Sequence, residues 1–337
     1  MQILRALPVP IKIPENRIDS GNIHYPEKYV KDLVKAAGKN KKHARQVLAM
    51  LLCKKEKPPA RETANDYFYV NEKNKDPNPK KGLTRMYVDR VLVSPSGACM
   101  THCPWCFRDE RSGLLSEKNI NEIIRYIQKD KRIRDIILTG GEPFSFPVRR
   151  LKALLAELDS IRHIKIIRFH TRAPATAPHI FTKEIFNILN RYHNKNQKIY
   201  IVLQIIHPLE LSDEVKDVVF KMSKTGCALL NQAPVLKGIN DDQETFNAWN
   251  RALIEAGIKP YYAIIPIIRH NWNSRYAVPY DNIKKLVSNY ASRFDGLGRP
   301  TIILPVMRKK ISALDLERLM KTHPGVHYRN TKSQIWG

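Results

Sequence analysis

One loop organises this sequence: Ser96-Gly-Ala-Cys99-Met-Thr-His-Cys103-Pro-Trp-Cys106-Phe-Arg108, which follows an apolar strand pattern at Val91–Val93. Thiolate is the ligand that iron–sulfur clusters require, so three cysteines this close together predict a cluster with one thiolate on each of three irons. Since no fourth cysteine lies nearby, one iron would stay open to a cofactor or substrate. Trp105, directly before the third cysteine, is placed to pack against that ligand.

Zinc is the alternative metal for such a loop, and the sequence does not favour it. Structural zinc sites usually use two pairs of ligands, and no second Cys or His pair at ligand spacing follows the loop. His102 is adjacent to Cys103, so its side chain is expected to point away from the thiols. Cys53 and Cys227 stand alone and are predicted to be small buried apolar side chains.

Strand patterns and helix patterns alternate along the chain. The strand patterns are apolar and β-branched, at Val91–Val93, Ile136–Leu138, Ile164–Phe169, Ile199–Ile206, Ala228–Leu236 and Tyr261–Ile268. The helix patterns lie at 117–129, 147–159, 182–192, 212–224, 242–256 and 280–292. This order predicts an α/β fold with a parallel sheet, closed or nearly closed into a barrel with its helices outside. In such barrels the chemistry sits at the C-terminal ends of the strands.

Three regions are predicted along the chain. Residues 1–80 form an N-terminal, mostly helical segment with a basic linker, residues 81–295 form the barrel, and residues 296–337 form a C-terminal extension. Helical spacing runs from Pro26 to Cys53, and the linker is the stretch rich in Asn, Lys and Pro from Asn71 to Lys81.

The formal net charge is +26, from 58 basic and 32 acidic residues. Such a field would attract a polyanionic partner, such as a nucleic acid or an acidic protein. The alternative is that the charge reflects composition alone. No apolar run reaches the roughly 18 residues that cross a bilayer, and the start of the chain is too broken by proline for a secretory signal. We therefore expect a cytoplasmic protein without a membrane partner.

A second motif ends the second strand pattern, Leu138-Thr-Gly-Gly-Glu142-Pro143. Two glycines let the backbone come close to a ligand, and Glu142 or the nearby carbonyls could receive an ammonium group. This Gly-Gly-Glu-Pro turn is a weak signal alone, and it gains weight because it follows the cysteine loop by one strand–helix unit.

Together, the two motifs resemble those of the radical S-adenosylmethionine (SAM) superfamily, and further segments resemble its lysine 2,3-aminomutase branch. Those segments are Tyr87–Leu92, Ile167–Pro174, His207-Pro208, Leu230–Gln232, Val235–Asp241 and Ala256–Tyr262. The resemblance implies a partial (β/α)6 TIM-like barrel and a [4Fe-4S] cluster held by Cys99, Cys103 and Cys106. It also implies reductive cleavage of SAM to a 5′-deoxyadenosyl radical, which needs a reducing partner such as flavodoxin or ferredoxin.

Roles for other residues come from the same resemblance. It places SAM against Trp105 and against the glycine turn, Gly140, Gly141 and Glu142. Around SAM and an amino-acid-like substrate it places Thr171, Arg172, His207 and Gln232. Arg108 matches an arginine that takes the substrate carboxylate, and Arg90 matches one of two arginines that hold the phosphate of pyridoxal 5′-phosphate (PLP). Lys310 stands where the family anchors PLP.

The sequence departs from the family at two places. The glycines around the PLP lysine are missing, and the second phosphate arginine is replaced by Met86. Two aspartates that hold the ε-ammonium of lysine are also missing, with Ile267 and Leu304 at the matched positions. Arg269, Arg308 and Lys309 lie in the same region and suit a neutral or anionic side chain.

These features predict a PLP-assisted 2,3-aminomutase for an amino acid other than lysine. A homodimer is the expected assembly. One alternative is a PLP-independent radical SAM enzyme, such as an epimerase or dehydrogenase, acting on a peptide, nucleotide or other larger substrate. The other alternative is a radical SAM enzyme that modifies nucleic acid, for which the basic charge is the only signal.

Overall fold

The computed structural model describes residues 25–51, 81–85, 87–106, 113–266, 276–290, 294–306 and 309–312. Two helices, α1 (Glu27–Ala37) and α2 (Lys41–Leu51), precede the sheet. Each buries one apolar face, which includes Leu33 on α1 and Val47 on α2. Gly38 adopts φ +52° and ends α1 by donating its N–H to the carbonyls of the last turn. The helical pattern predicted from Pro26 onward is therefore confirmed as two helices.

Nine strands among the described residues form one sheet in chain order. They are β1 (Leu83–Thr84), β2 (Arg90–Ser96), β3 (Asp135–Gly140), β4 (Ile166–Thr171), β5 (Lys198–Leu203), β6 (Ala228–Pro234), β7 (Lys259–Ile264), β8 (Thr301–Val306) and β9 (Lys309–Ser312). Neighbours from β2 to β8 are parallel, while β1 and β9 pair antiparallel at the two edges. Because the edge strands do not pair with each other, the sheet is open, as a partial barrel is.

Helices connect the parallel strands. They are α3 (Glu117–Lys129), α4 (Val148–Ser160), α5 (Lys183–Tyr192), α6 (Asp213–Ser223), α7 (Gln243–Glu255) and α8 (Tyr280–Tyr290). Side chains cap the N-termini of several of these helices. Ser116, Ser212 and Asp242 each accept a hydrogen bond from a backbone N–H in the first turn. The α/β architecture predicted from alternating patterns is confirmed, including each of the predicted strands and helices.

The parallel sheet contains one strand more than the sequence patterns predicted. Strand β8 lies in the region expected to be an extension, and it pairs with β7 through Tyr262↔Thr301 and Ile264↔Ile303. Its Ile302, Ile303 and Leu304 are buried. Pro300 and Pro305 flank this short apolar run. Because proline is disfavoured in the interior of a strand, the run did not read as a strand in the sequence.

Side chains alternate between two faces of the sheet. On β4, Ile167 and Phe169 join the apolar core that the helices cover, while Arg168 and His170 are half-buried and face the other way. On β6, Gln232 is half-buried between the buried Asn231 and Ala233. Parallel strands covered on both faces are usually apolar throughout. The polar concave face therefore indicates a surface meant to meet a ligand.

The N-terminal helices dock on the segment that follows β5 and on the start of α7. Gln46 of α2 donates to Thr245 Oγ1 at 2.9 Å, and Lys42 forms an ion pair with Asp242 Oδ1 at 2.7 Å. Tyr29 of α1 donates to Glu210 Oε1 at 2.5 Å. These contacts hold the helical pair beside the C-terminal ends of the strands. Within the described chain, no helix has the length and apolar character needed to span a membrane.

Candidate functional site

The cysteine loop leaves the C-terminal end of β2. Cys99, Cys103 and Cys106 are half-buried, and the Cys106 N–H donates to the Cys103 carbonyl at 3.0 Å, which turns the chain between them. As the side chains stand, no three His, Cys, Asp or Glu residues in the described ranges gather into a metal site. The donor set fits an iron–sulfur cluster, and binding one would require the thiols to turn toward a common centre.

The Gly-Gly-Glu-Pro turn and the cysteine loop form one unit. Gly141 N–H donates to Ser96 O at 2.9 Å and Glu142 N–H donates to Ala98 O at 2.7 Å. Gly140 adopts φ +107°, and a Cβ on Gly141 would lie 2.3 Å from Ala98 O. No side chain fits at this approach. The two glycines are thus required for the turn to lie against the loop that carries the cysteines.

The Glu142 carboxylate is committed to the protein. It accepts Thr171 Oγ1–H at 2.6 Å, Arg172 N–H at 2.9 Å, Ala173 N–H at 3.1 Å and Phe144 N–H at 3.2 Å. Burial raises the pKa of Glu142, and these donors act against that rise. These bonds fasten the end of β4 to the turn. That Glu142 or nearby carbonyls receive an ammonium group stays a prediction.

Arg172 follows Thr171 and lies under the tryptophan of the cysteine loop. Its guanidinium is 5.1 Å from the centre of the Trp105 ring, and Trp105 in turn meets Tyr276 edge-on at 6.0 Å. The indole Nε1 of Trp105 is buried and has no hydrogen-bond partner in the described chain. Buried N–H groups are rarely left unpaired, so this orphan donor is consistent with a ligand that would lie here.

The ring of His207 is held by hydrogen bonds within the protein. The side chain is fully buried, and its Nδ1 accepts Leu209 N–H at 3.2 Å. Nε2 therefore carries the proton and donates to Gln46 Oε1 at 3.2 Å. Burial lowers the pKa of His207 to about 3, so the ring is neutral. Both nitrogens are bonded within the protein, where His207 ties α2 to the segment after β5. The place beside SAM that the resemblance implies for it stays a prediction.

Two predicted residues lie away from the cysteine loop. Gln232 is on the concave face of β6, beside Tyr262 of β7 across a register shift. Arg90 is the first residue of β2, about 20 Å of extended strand from the loop. It forms an ion pair with Asp89 at 3.1 Å and stacks 4.6 Å over the Tyr87 ring. The structure thus does not bring Arg90 together with the cysteines.

A charged pair on the concave face, Arg168 with Asp135, was not predicted from the sequence. Asp135 is buried and opposes Arg90 in the register of β2 and β3. Burial raises the pKa of Asp135, while Arg168 acts against that rise. Nearby, burial and Tyr261 raise the pKa of Tyr262 to about 12. The available signal was the stretch Ile167–His170, in which Arg168 and His170 alternate with the apolar Ile167 and Phe169.

Several other expected residues lie outside the described ranges. They are Cys53, Met86, Arg108, Ile267, Arg269 and Arg308. Lys310 lies on β9 opposite Pro305, and Leu304 is buried on β8. Cys227 is buried among apolar side chains, and burial raises the pKa of its thiol to about 11. That agrees with the apolar role expected for it.

Comparisons with known proteins match this site region. Residues 93–248 match the family model described as the radical SAM superfamily. An L-lysine 2,3-aminomutase of Methanococcus maripaludis is 34% identical over 189 residues, which are 55% of this chain and 43% of that protein. A glutamate 2,3-aminomutase of Clostridioides difficile is also 34% identical over 189 residues, 55% of this chain and 44% of that protein. The chain thus matches less than half the length of these two relatives.

A solved structure with a similar fold is Streptococcus suis SuiB bound to S-adenosylmethionine. The match covers 70% of this chain and 56% of the SuiB chain, at 16% identity and a TM-score of 0.48.

Proposed function

We propose a radical reaction on the premise that this chain belongs to the radical SAM superfamily and is related to lysine and glutamate 2,3-aminomutases. The proposal is a 2,3-aminomutase that uses SAM and PLP and acts on an amino acid other than lysine. The observation that carries it is the joining of the cysteine loop to the glycine turn at the C-terminal edge of the sheet. Such an edge is where barrels of this kind place their chemistry.

Cys99, Cys103 and Cys106 would hold the [4Fe-4S] cluster that membership of the superfamily implies. When bound, the cluster supplies the electron that cleaves SAM and starts hydrogen abstraction from the substrate. The chain holds the methionyl end of SAM with the backbone of Gly140 and Gly141, which lies against the loop. Trp105 closes the other side of the site with its ring and its unpaired N–H, and the buried surroundings keep water from the radical.

Substrate choice rests on the charges near the site. Leu304 is buried and uncharged, and an ammonium group there would lack a partner, which costs several kcal/mol. Arg108 matches the family's carboxylate-binding arginine. A relative is named for glutamate. These features favour a substrate with a neutral or anionic side chain.

PLP is the second proposed cofactor, and its chemistry would be to hold the migrating amino group. Lys310 would anchor it, and Arg90 would meet its phosphate. Borohydride treatment of the holoenzyme followed by peptide mapping should place a pyridoxyl group on Lys310. Lys309→Ala should keep the label and Lys310→Ala should lose it. Label on Lys309 instead would mean that the alignment is displaced by one residue.

The test of the whole proposal is anaerobic turnover with lysine, glutamate and neutral amino acids. We expect 5′-deoxyadenosine and a β-amino product from a neutral or anionic substrate, with an external reductant such as flavodoxin or ferredoxin. Lysine should be converted about a thousandfold less efficiently, which corresponds to about 4 kcal/mol of lost recognition. Rapid formation of β-lysine would contradict the substrate assignment and point to another acid in the pocket.

A PLP-independent radical SAM enzyme is the second candidate function. One observation favours it: Arg90 already pairs with Asp89 and Tyr87 at the edge of the sheet opposite the cysteines. Under this alternative the purified protein would show the cluster spectrum, form 5′-deoxyadenosine and lack PLP absorbance near 420 nm. Binding of RNA or DNA that weakens steeply with salt would favour a polyanionic substrate.

A further inference from the structure

We infer that helix α1 is a positioning element of the radical site, acting through Tyr29, Glu210 and Arg172 on Trp105. This inference rests on the proposed function only in naming SAM as the ligand whose binding is affected. The residues come from separate parts of the chain: α1, the segment after β5, the end of β4 and the cysteine loop. Together they form a buried relay from the N-terminal helices to the residue before Cys106.

The relay is continuous in hydrogen bonds. Tyr29 O–H donates to Glu210 Oε1 at 2.5 Å, and the same oxygen accepts Arg172 Nη2–H at 2.5 Å. Arg172 Nη2 also donates to the Tyr29 hydroxyl at 3.1 Å. The three groups thus form a closed triangle around one carboxylate oxygen.

The second carboxylate oxygen of Glu210 and the second terminal nitrogen of Arg172 are bonded as well. Glu210 Oε2 accepts Ile206 N–H at 2.6 Å, and Arg172 Nη1 donates to Gln204 O at 2.8 Å. The side chains of Arg172 and Glu210 are 6% and 0% exposed. A buried ion pair is favourable only when its geometry is good and its other polar atoms are paired. Both terminal nitrogens of Arg172 and both oxygens of Glu210 are bonded, while the buried Nε of Arg172 has no hydrogen-bond partner among the described residues. The plane of the guanidinium is therefore fixed.

Trp105 rests on that fixed plane. The guanidinium carbon lies 5.1 Å from the ring centre, a range in which the cation attracts the π face. The backbone N–H of Arg172 also donates to Glu142, which belongs to the glycine turn. One residue thus touches both halves of the site. Loss of the Tyr29 hydroxyl would free the guanidinium to tilt, and the indole with its unpaired N–H would move with it.

A purely structural tie predicts a different outcome. If the relay only anchors α1, removing the hydroxyl would lower the melting temperature and leave SAM affinity and the Trp105 environment unchanged. Tyr29→Phe is suited to the test because it removes the two hydrogen bonds of the hydroxyl and keeps the charges of Arg172 and Glu210. Tyr25→Phe is the matched control, since Tyr25 stacks 5.2 Å from Tyr29 and its hydroxyl donates to Met50 O of α2.

The experiment is a double-mutant cycle on the reconstituted holoenzyme, with Tyr29→Phe, Trp105→Phe and both together. We expect each single change to weaken SAM binding about tenfold at unchanged iron content, and the double variant to be no weaker than Trp105→Phe within about twofold. Tyr25→Phe should change the SAM dissociation constant by less than about twofold. Residues that act through one another give such non-additive effects.

A second readout does not depend on SAM. In protein carrying ¹⁵N-labelled tryptophan, the Trp105 indole signal, assigned by its loss in Trp105→Phe, should shift in Tyr29→Phe and stay in place in Tyr25→Phe. The inference would be refuted if the losses of SAM affinity multiplied in the double variant, or if the indole signal did not shift in Tyr29→Phe. A wild-type protein without SAM binding would refute the proposed function, while the indole signal would still decide the relay.

Discussion

Replacing Glu142 by Gln distinguishes a structural carboxylate from one that binds SAM. Glutamine has the same shape, and its amide oxygen can still face Arg172 N–H and Ala173 N–H, at 2.9 and 3.1 Å in the wild type. The NH2 group then faces Phe144 N–H, which Glu142 accepts at 3.2 Å. A buried N–H left unpaired costs about 1–3 kcal/mol, and replacing charged by neutral acceptors costs about 1 kcal/mol more.

We therefore expect Glu142→Gln to lower the free energy of unfolding by about 2–4 kcal/mol, measured by anaerobic urea denaturation of the reconstituted protein. Glu157→Gln is the matched control, because Glu157 is exposed on α4, and it should change stability by less than about 0.5 kcal/mol. SAM binding at low temperature should weaken only in proportion to the unfolded fraction. Unchanged stability with complete loss of SAM binding would refute this reasoning and make the carboxylate a direct SAM ligand.

Three further outcomes are expected. Alanine in place of Cys99, Cys103 or Cys106 should abolish the cluster spectrum and SAM cleavage. Cys227→Ala should keep both. Gly141→Ala should prevent cluster assembly because its Cβ would lie 2.3 Å from a carbonyl, while Gly113→Ala, with nothing within 4 Å, should not; iron analysis checks both. The pKa of His207 falls from 6.5 to about 3 on folding. Between these two pH values His207 is protonated in the unfolded chain and neutral in the folded chain. Stability is complete above pH 6.5 and falls by about 2 kcal/mol from pH 7.5 to pH 5, a slope that denaturation of His207→Gln should lack.

Local patterns predicted the alternating framework, because each strand and helix carries its own periodicity. They could not predict β8, whose short apolar run is recognised only once β7 lies beside it. They also could not predict that the N-terminal helices reach the site. Tyr29 and Glu210 are 181 residues apart, and no spacing in the sequence relates them.

For the site, the residue types could be predicted from the sequence, but their geometry could not. The cysteines and glycines are recognisable because their chemistry demands a fixed spacing. Glu142 and His207 are different, since their roles depend on which groups meet them after folding. Each was expected to face a ligand, and each has its polar side-chain atoms bonded within the protein. Arg168 and Asp135 were overlooked because a cation and an anion on neighbouring strands gain meaning only from the register between those strands.

The short antiparallel strands at the two edges also bear on how this chain avoids self-association. An exposed parallel edge would offer a row of unpaired N–H and C=O groups to another chain, and long flat edges are where sheets aggregate. Here β1 is two residues long and β9 is four, and β9 begins with two lysines. A second copy of the protein would find few backbone groups to pair with and would bring like charges together. In the part of the chain that the structure describes, the two edges of the open sheet therefore offer little backbone for edge-to-edge pairing with another chain.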